Sequence, residues 1–100
     1  MFVYNISQKV NRSFLSEWIT WQKEVHIPEI MSTGLFFDYQ FYKLLDQDEE
    51  EGTTFVIQYF SESRENYDRF INLYAPGLRE KAVKKWGDAV VTFQTVMHVV

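Results

Sequence analysis

His26-Ile27-Pro28-Glu29-Ile30 and, 48 residues further on, Tyr74-Ala75-Pro76-Gly77-Leu78 share one pattern, a ring followed by x-Pro-x-aliphatic. Each copy closes a stretch of helical spacing, and each stretch lies between runs that read as strands. Before the first copy, Phe14, Trp18, Trp21 and Val25 recur at spacings of 4, 3 and 4, a stripe that should face a core. Before the second, Tyr67, Phe70, Ile71 and Tyr74 repeat in the same way. Proline lacks an N–H and clashes with the preceding turn, so the first helix should break or kink near His26-Ile27 and restart as a short turn ending at Gly34. The chain thus divides into two βαβ units in tandem.

The flanking runs fill in the rest. Residues 2–10 alternate, with Phe2, Tyr4, Ile6 and Val10 on one side and Asn5, Ser7 and Lys9 on the other. Asn11 or Ser13 can cap the first helix, and Ser63 the second. A second strand is expected over 35–45, a third over 53–60 and a fourth over 88–100. Leu78, Ala82 and Trp86 mark a last helical segment that Gly87 stops. The order is that of an α+β fold, a ferredoxin-like βαββαβ sandwich: a four-stranded antiparallel sheet with two helices on one face, one domain over residues 1–100.

Alternation then assigns the two faces of the sheet. Tyr4, Ile6, Phe37, Tyr39, Phe41, Phe55, Ile57, Tyr59, Val91, Phe93 and Met97 are expected toward the helices. The opposite face would carry Val3, Phe36, Tyr42, Val56, Phe60, Val96 and His98, with one amide near the middle of each strand: Asn5, Gln40, Gln58 and Gln94. Rings mixed with amides suit a subunit interface or a cavity between two sheets better than a solvated surface.

Composition excludes several classes. A chain of 100 residues can bury roughly 65% of its unfolded surface, enough for a core without staples. It has no cysteine, so disulfides, thiolate zinc sites and a cysteine nucleophile are excluded. The opening Met1-Phe2-Val3-Tyr4-Asn5 lacks the basic and apolar regions of a signal peptide, and no run approaches the ~18 apolar residues of a membrane span. A cytoplasmic protein without membrane contact is the expectation. A net charge of −4 argues against nucleic acid. Aromatics at 18% are more ring surface than two helices readily cover, which hints at a second subunit.

The element order, the helix ending in His-x-Pro and the mixed open face together resemble the dimeric α+β barrel superfamily. Met1-Phe2-Val3-Tyr4-Asn5, Trp18-x-x-Trp21-x-x-x-x-His26-Ile27-Pro28-Glu29, Gln58-Tyr59-Phe60 and Ala75-Pro76-x-Leu78-Arg79 are similar to an uncharacterised bacterial family, domain of unknown function 4286, across essentially the whole chain. The superfamily resemblance implies two subunits packed sheet against sheet around a pocket. It includes cofactor-independent monooxygenases, small isomerases, haem-degrading enzymes and ligand-sensing domains without chemistry. The family resemblance transfers no catalytic residue.

Individual residues sharpen this only a little. His26 can exchange protons near neutrality, which makes it the candidate catalytic group; an imidazole at a helix C-terminus also serves the helix dipole and the unpaired carbonyls. His98 reads as an interface polar group rather than a haem or metal ligand. The carboxylates between Asp46 and Glu51 lack the spacing of a calcium loop and read as a solvated hairpin tip. The glycines form no phosphate cradle, and no cofactor or metal is expected. The expected function is a homodimer binding a small apolar or aromatic ligand between its sheets, through Asn5, Gln40, Tyr42, Gln58, Gln94 and His98. The alternatives are a cofactor-independent monooxygenase or isomerase with His26 as proton shuttle, and a module that only assembles.

Overall fold

A computed structural model describes residues 1–100. The elements are β1 (Phe2–Asn11), α1 (Leu15–Trp21), a π turn (Gln22–His26), α2 (Ile27–Ser32), β2 (Asp38–Lys43), β3 (Gly52–Ser61), α3 (Arg64–Leu73), α4 (Ala75–Trp86) and β4 (Val90–His98), with 3-10 turns before α1 and before β4. The sheet is antiparallel throughout, in the order β2-β3-β1-β4. The helices pack on one face of it, so the architecture is the ferredoxin-like α+β sandwich. No helix is long and apolar enough to cross a membrane.

Local chemistry sets the helix ends. Asn11 Oδ1 accepts the Ser13 N–H at 2.9 Å, and Ser63 Oγ accepts the Asn66 N–H at 3.1 Å ahead of α3. Gly34 and Gly87 follow the two helical layers with φ of 75° and 51°, a left-handed turn that only glycine makes without strain. The core lies between layers. Trp18, Ile27, Ile30, Phe70 and Ala75 from the helices meet Tyr4, Ile6, Val10, Phe55, Ile57 and Tyr59 from the sheet. Rings do most of the filling: Trp18 sits 4.9 Å from Phe55 and 5.8 Å from Phe41, and Tyr4 lies 5.8 Å from Phe70.

Three expectations need correction. The first helix does not break at Pro28. The turn before it widens instead, so that the Ile27 N–H donates to the Gln22 carbonyl five residues back, and Pro28 enters the first turn of α2, where a missing N–H does no harm. The extra residue rotates the buried stripe, leaving Val25 42% exposed while Gln22, Ile27 and Ile30 are buried.

Second, strand β2 starts only at Asp38, so the alternation of a strand does not extend back through Phe36 and Phe37. Phe36 turns into the core, 3% exposed, and Phe37 lies on the open face with its ring 6.4 Å from that of Phe60.

Third, β4 presents the opposite faces. Its register pairs Ile6 with Gln94 and Tyr4 with Val96, and residues paired across strands share a face. Thr92, Gln94, Val96 and His98 therefore point to the helix side. Val91, Phe93 and Met97 lie on the open face, and Phe93 is 69% exposed.

Candidate functional site

With Thr92 and Gln94 under α4, whose inner side carries the small Ala82, the helix and sheet layers do not close. A cavity of about 540 Å³ remains between them. Tyr4, Ile6 and Gln8 form its floor from β1, with Thr92 and Gln94 from β4. Trp18, Trp21, Gln22 and His26 come from α1 and the π turn, and Arg79, Ala82 and Trp86 from α4. The volume falls within the ~300–1,000 Å³ typical of small-molecule sites, and apolar walls with a few convergent polar groups are their usual composition.

A chain of polar groups runs along the wall. Gln22 Nε2 donates to Gln8 Oε1 at 3.4 Å, and Gln8 Nε2 donates to Thr92 Oγ1 at 3.1 Å. At the mouth, Arg79 Nη2 donates to Gln94 Oε1 at 3.2 Å. Four buried polar atoms have no hydrogen-bond partner within the protein: Trp18 Nε1, Gln22 Oε1, the Tyr59 hydroxyl and Trp86 Nε1. All four belong to residues that line this cavity. Each of these atoms is itself covered, so it lies behind the cavity surface, and leaving such a group unpaired costs ~1–3 kcal/mol.

His26 also lines the cavity. The widened turn brings it against Trp21, with ring centroids 4.5 Å apart and planes within 21°, and Trp86 meets Trp21 edge-on at 5.7 Å. Burial pushes the imidazole pKa down to about 4; nearby Glu29 opposes the shift and Lys81 reinforces it. His26 is thus neutral at physiological pH, offering one N–H and one lone pair. It is also a weakened proton acceptor. Burial raises the phenol pKa of Tyr4, against the pull of the Arg79 guanidinium, and burial raises that of Tyr59 as well, so both stay protonated.

The expected site residues divide between two places. His26 and Gln94 reach the cavity. Asn5, Gln40 and Gln58 lie on the opposite face, in one row across β1, β2 and β3 that Thr95 continues on β4. There Gln58 Nε2 donates to Asn5 Oδ1 at 3.2 Å, and Tyr42 stands near them, 47% exposed. His98 is on the helix side but outside the cavity, stacked on Phe2 with centroids 4.4 Å apart. Gln22, Gln8 and Thr92 were not expected at a site, and Arg79 was named only as part of the family pattern. Their sequence signal was a polar residue at a core position: Gln22 one turn after Trp18, and Gln8 between Ile6 and Val10. No cluster of three or more His, Asp or Glu side chains could hold a metal ion.

Fold and cavity define the class, a ferredoxin-like α+β sandwich with a pocket between its helices and its sheet. The chain belongs to the family described as domain of unknown function (DUF4286), which it matches over residues 1–100. No curated protein matches it. Among solved structures, it is similar to HapK from Hahella chejuensis, with TM-score 0.72, 8% identity, and 100% of this chain and 93% of that one covered. A dimeric ferredoxin-like protein from an uncultured marine organism gives TM-score 0.71 at 16% identity, covering 100% and 95%. SnoaB from Streptomyces nogalater, a cofactor-independent oxygenase, gives TM-score 0.64 at 9% identity, covering 98% and 92%. At such identities the likeness is one of fold.

Proposed function

We propose that the protein binds a small aromatic molecule in the cavity between its helices and its sheet, and works as a homodimer through the open sheet face. The observation that carries the first part is the cavity of about 540 Å³ itself, walled by the rings of Trp18, Trp21 and Trp86 and crossed by the linked polar side chains of Gln22, Gln8 and Thr92. For the second, the open face exposes Phe37, Tyr42, Val91, Phe93 and Met97 at 41–69%, an apolar area suited to a second copy of itself. Similar folds that are dimeric support the same reading.

The test is thermal unfolding against a panel of one- and two-ring alcohols, ketones and acids. A ligand that binds only the folded state raises the melting temperature. At least one compound should do so, and Gln22→Leu or Trp86→Phe should shrink the shift while Gln58→Leu leaves it intact. No stabilising compound, or a shift abolished by Gln58→Leu alone, would contradict the cavity site. Light scattering should give twice the 12.0 kDa chain mass, and Phe93→Glu should give a monomer.

A second reading is cofactor-independent oxygenation, favoured by one observation: a neutral imidazole, His26, faces the same cavity. Three of the similar folds carry monooxygenase or oxygenase names. Its distinguishing sign is oxygen uptake with a stabilising compound, lost in His26→Asn while binding survives. The burial that keeps His26 neutral also disfavours its protonated form, so binding without turnover remains the preferred account.

A further inference from the structure

Accepting the cavity as a ligand site, we infer that its ligand is an aromatic carboxylate, with rings among the tryptophans and the carboxylate held by Arg79 at the mouth. Three tryptophans line the cavity and suit an aromatic body, while no acidic side chain lines it, so the lining suits a ligand that brings acceptors.

Arg79 adds charge to that preference. The other cations of α3 and α4 with a close acidic partner spend their charge within the protein: Arg64 on Asp68, Arg69 on Glu65, Lys81 on Glu29 and Lys84 on Glu80. Arg79 has no carboxylate within 4.0 Å; its guanidinium meets only neutral partners, donating to the Gln94 amide and lying beside the Tyr4 hydroxyl, which leaves part of its fork of donors free. The remaining donors suit a carboxylate in two-point contact, which a lysine ammonium cannot copy. Since Arg79 lines the mouth and is itself exposed, the anion stays near water, and only the rings need enter the apolar interior.

The inference is tested by comparing 2-naphthoate with 2-naphthamide, which has the same rings and no charge. All three tryptophans of the chain line the cavity, so their indole N–H resonances report its occupancy. Titration should give a dissociation constant about tenfold or more lower for the naphthoate, the scale of a charge-assisted hydrogen bond. Arg79→Gln should erase that preference by weakening the naphthoate alone. Gln94→Glu should erase it too, by setting a carboxylate against Arg79 within the chain. Since Arg79 and Gln94 are both exposed, the two variants test the site without removing core, and circular dichroism confirms their fold.

Equal affinities in the wild type would overturn the carboxylate inference and leave the cavity site standing. A preference that survives Arg79→Gln would overturn the role of Arg79 and point to Lys85, whose ammonium lies 5.2 Å from the Trp86 ring. Indole signals unmoved by either compound would overturn the inference and count against the cavity site as well.

Discussion

The two Pro corners share a sequence pattern and part ways in structure. At the first, the helix runs on through a π turn, and the extra residue swings His26 inward, onto Trp21 and into the cavity. At the second, the helix stops. Tyr74, at φ −115°, separates α3 from α4, and its ring lies 42% exposed, 6.4 Å from Phe70. The same ring-x-Pro code therefore sets a ring against a cavity at one corner and joins two helices at the other. A widened turn lets the helical hydrogen bonding run on while changing which side chains face inward, whereas at Tyr74 one helix ends and another begins.

The largest effect expected is in the core beside the first corner. Trp18 is fully buried, and Trp18→Ala should cost ~3–5 kcal/mol in denaturant unfolding, as large-to-small core changes do. A smaller loss would mean that the first helix is less firmly seated than its packing indicates.

Next comes the pH dependence that separates His26 from Tyr74. Above its ordinary pKa of 6.5 the imidazole is neutral in both the folded and the unfolded chain, and pH has no purchase on it. As pH falls below 6.5 the unfolded chain takes up a proton that the folded one resists until about 4. The folded state should therefore lose stability across that window, by on the order of 2–3 kcal/mol, with no further loss from this group below it. His26→Asn should remove this component, and Tyr74→Phe should keep it. Indistinguishable pH profiles for wild type and His26→Asn would place the imidazole in water.

Smaller effects should follow at more exposed positions. Tyr74→Ala should cost about 1 kcal/mol, the centre of the range for point substitutions, against the larger loss at Trp18. Glu50→Ala, in the exposed hairpin between β2 and β3, should change stability by no more than about 0.5 kcal/mol. A cost at Glu50 near that of Trp18 would reverse the layering described for the whole fold.

The order of elements was legible because strand and helix periods alternate cleanly from Phe2 to Trp86, with caps at Asn11 and Ser63. The face of β4 was not. From Val90 to His98 apolar residues occupy both parities, and the more apolar set, Val91, Phe93 and Met97, was read as core. Inside a ferredoxin-like sandwich that set would fill the interior; here the less apolar Thr92 and Gln94 face inward, under a cavity. The cavity itself escaped the sequence for a related reason. A π turn leaves no periodic signature, so the burial of Gln22 and the inward swing of His26 became visible only once the turn was. His26 and Gln94 were named in advance, but Gln94 was placed on the wrong face of the sheet.

One measurement decides between the cavity and the open face as the ligand site: a 1H–15N map of side-chain N–H groups with and without 2-naphthoate. If the ligand enters between helices and sheet, the indole signals of Trp18 and Trp86 shift as its rings come against theirs, the Gln22 and Gln8 amides follow, and those of Asn5, Gln40 and Gln58 stay put. Shifts confined to Asn5, Gln40 and Gln58, with the indoles unmoved, would put the ligand on the open face and contradict the account.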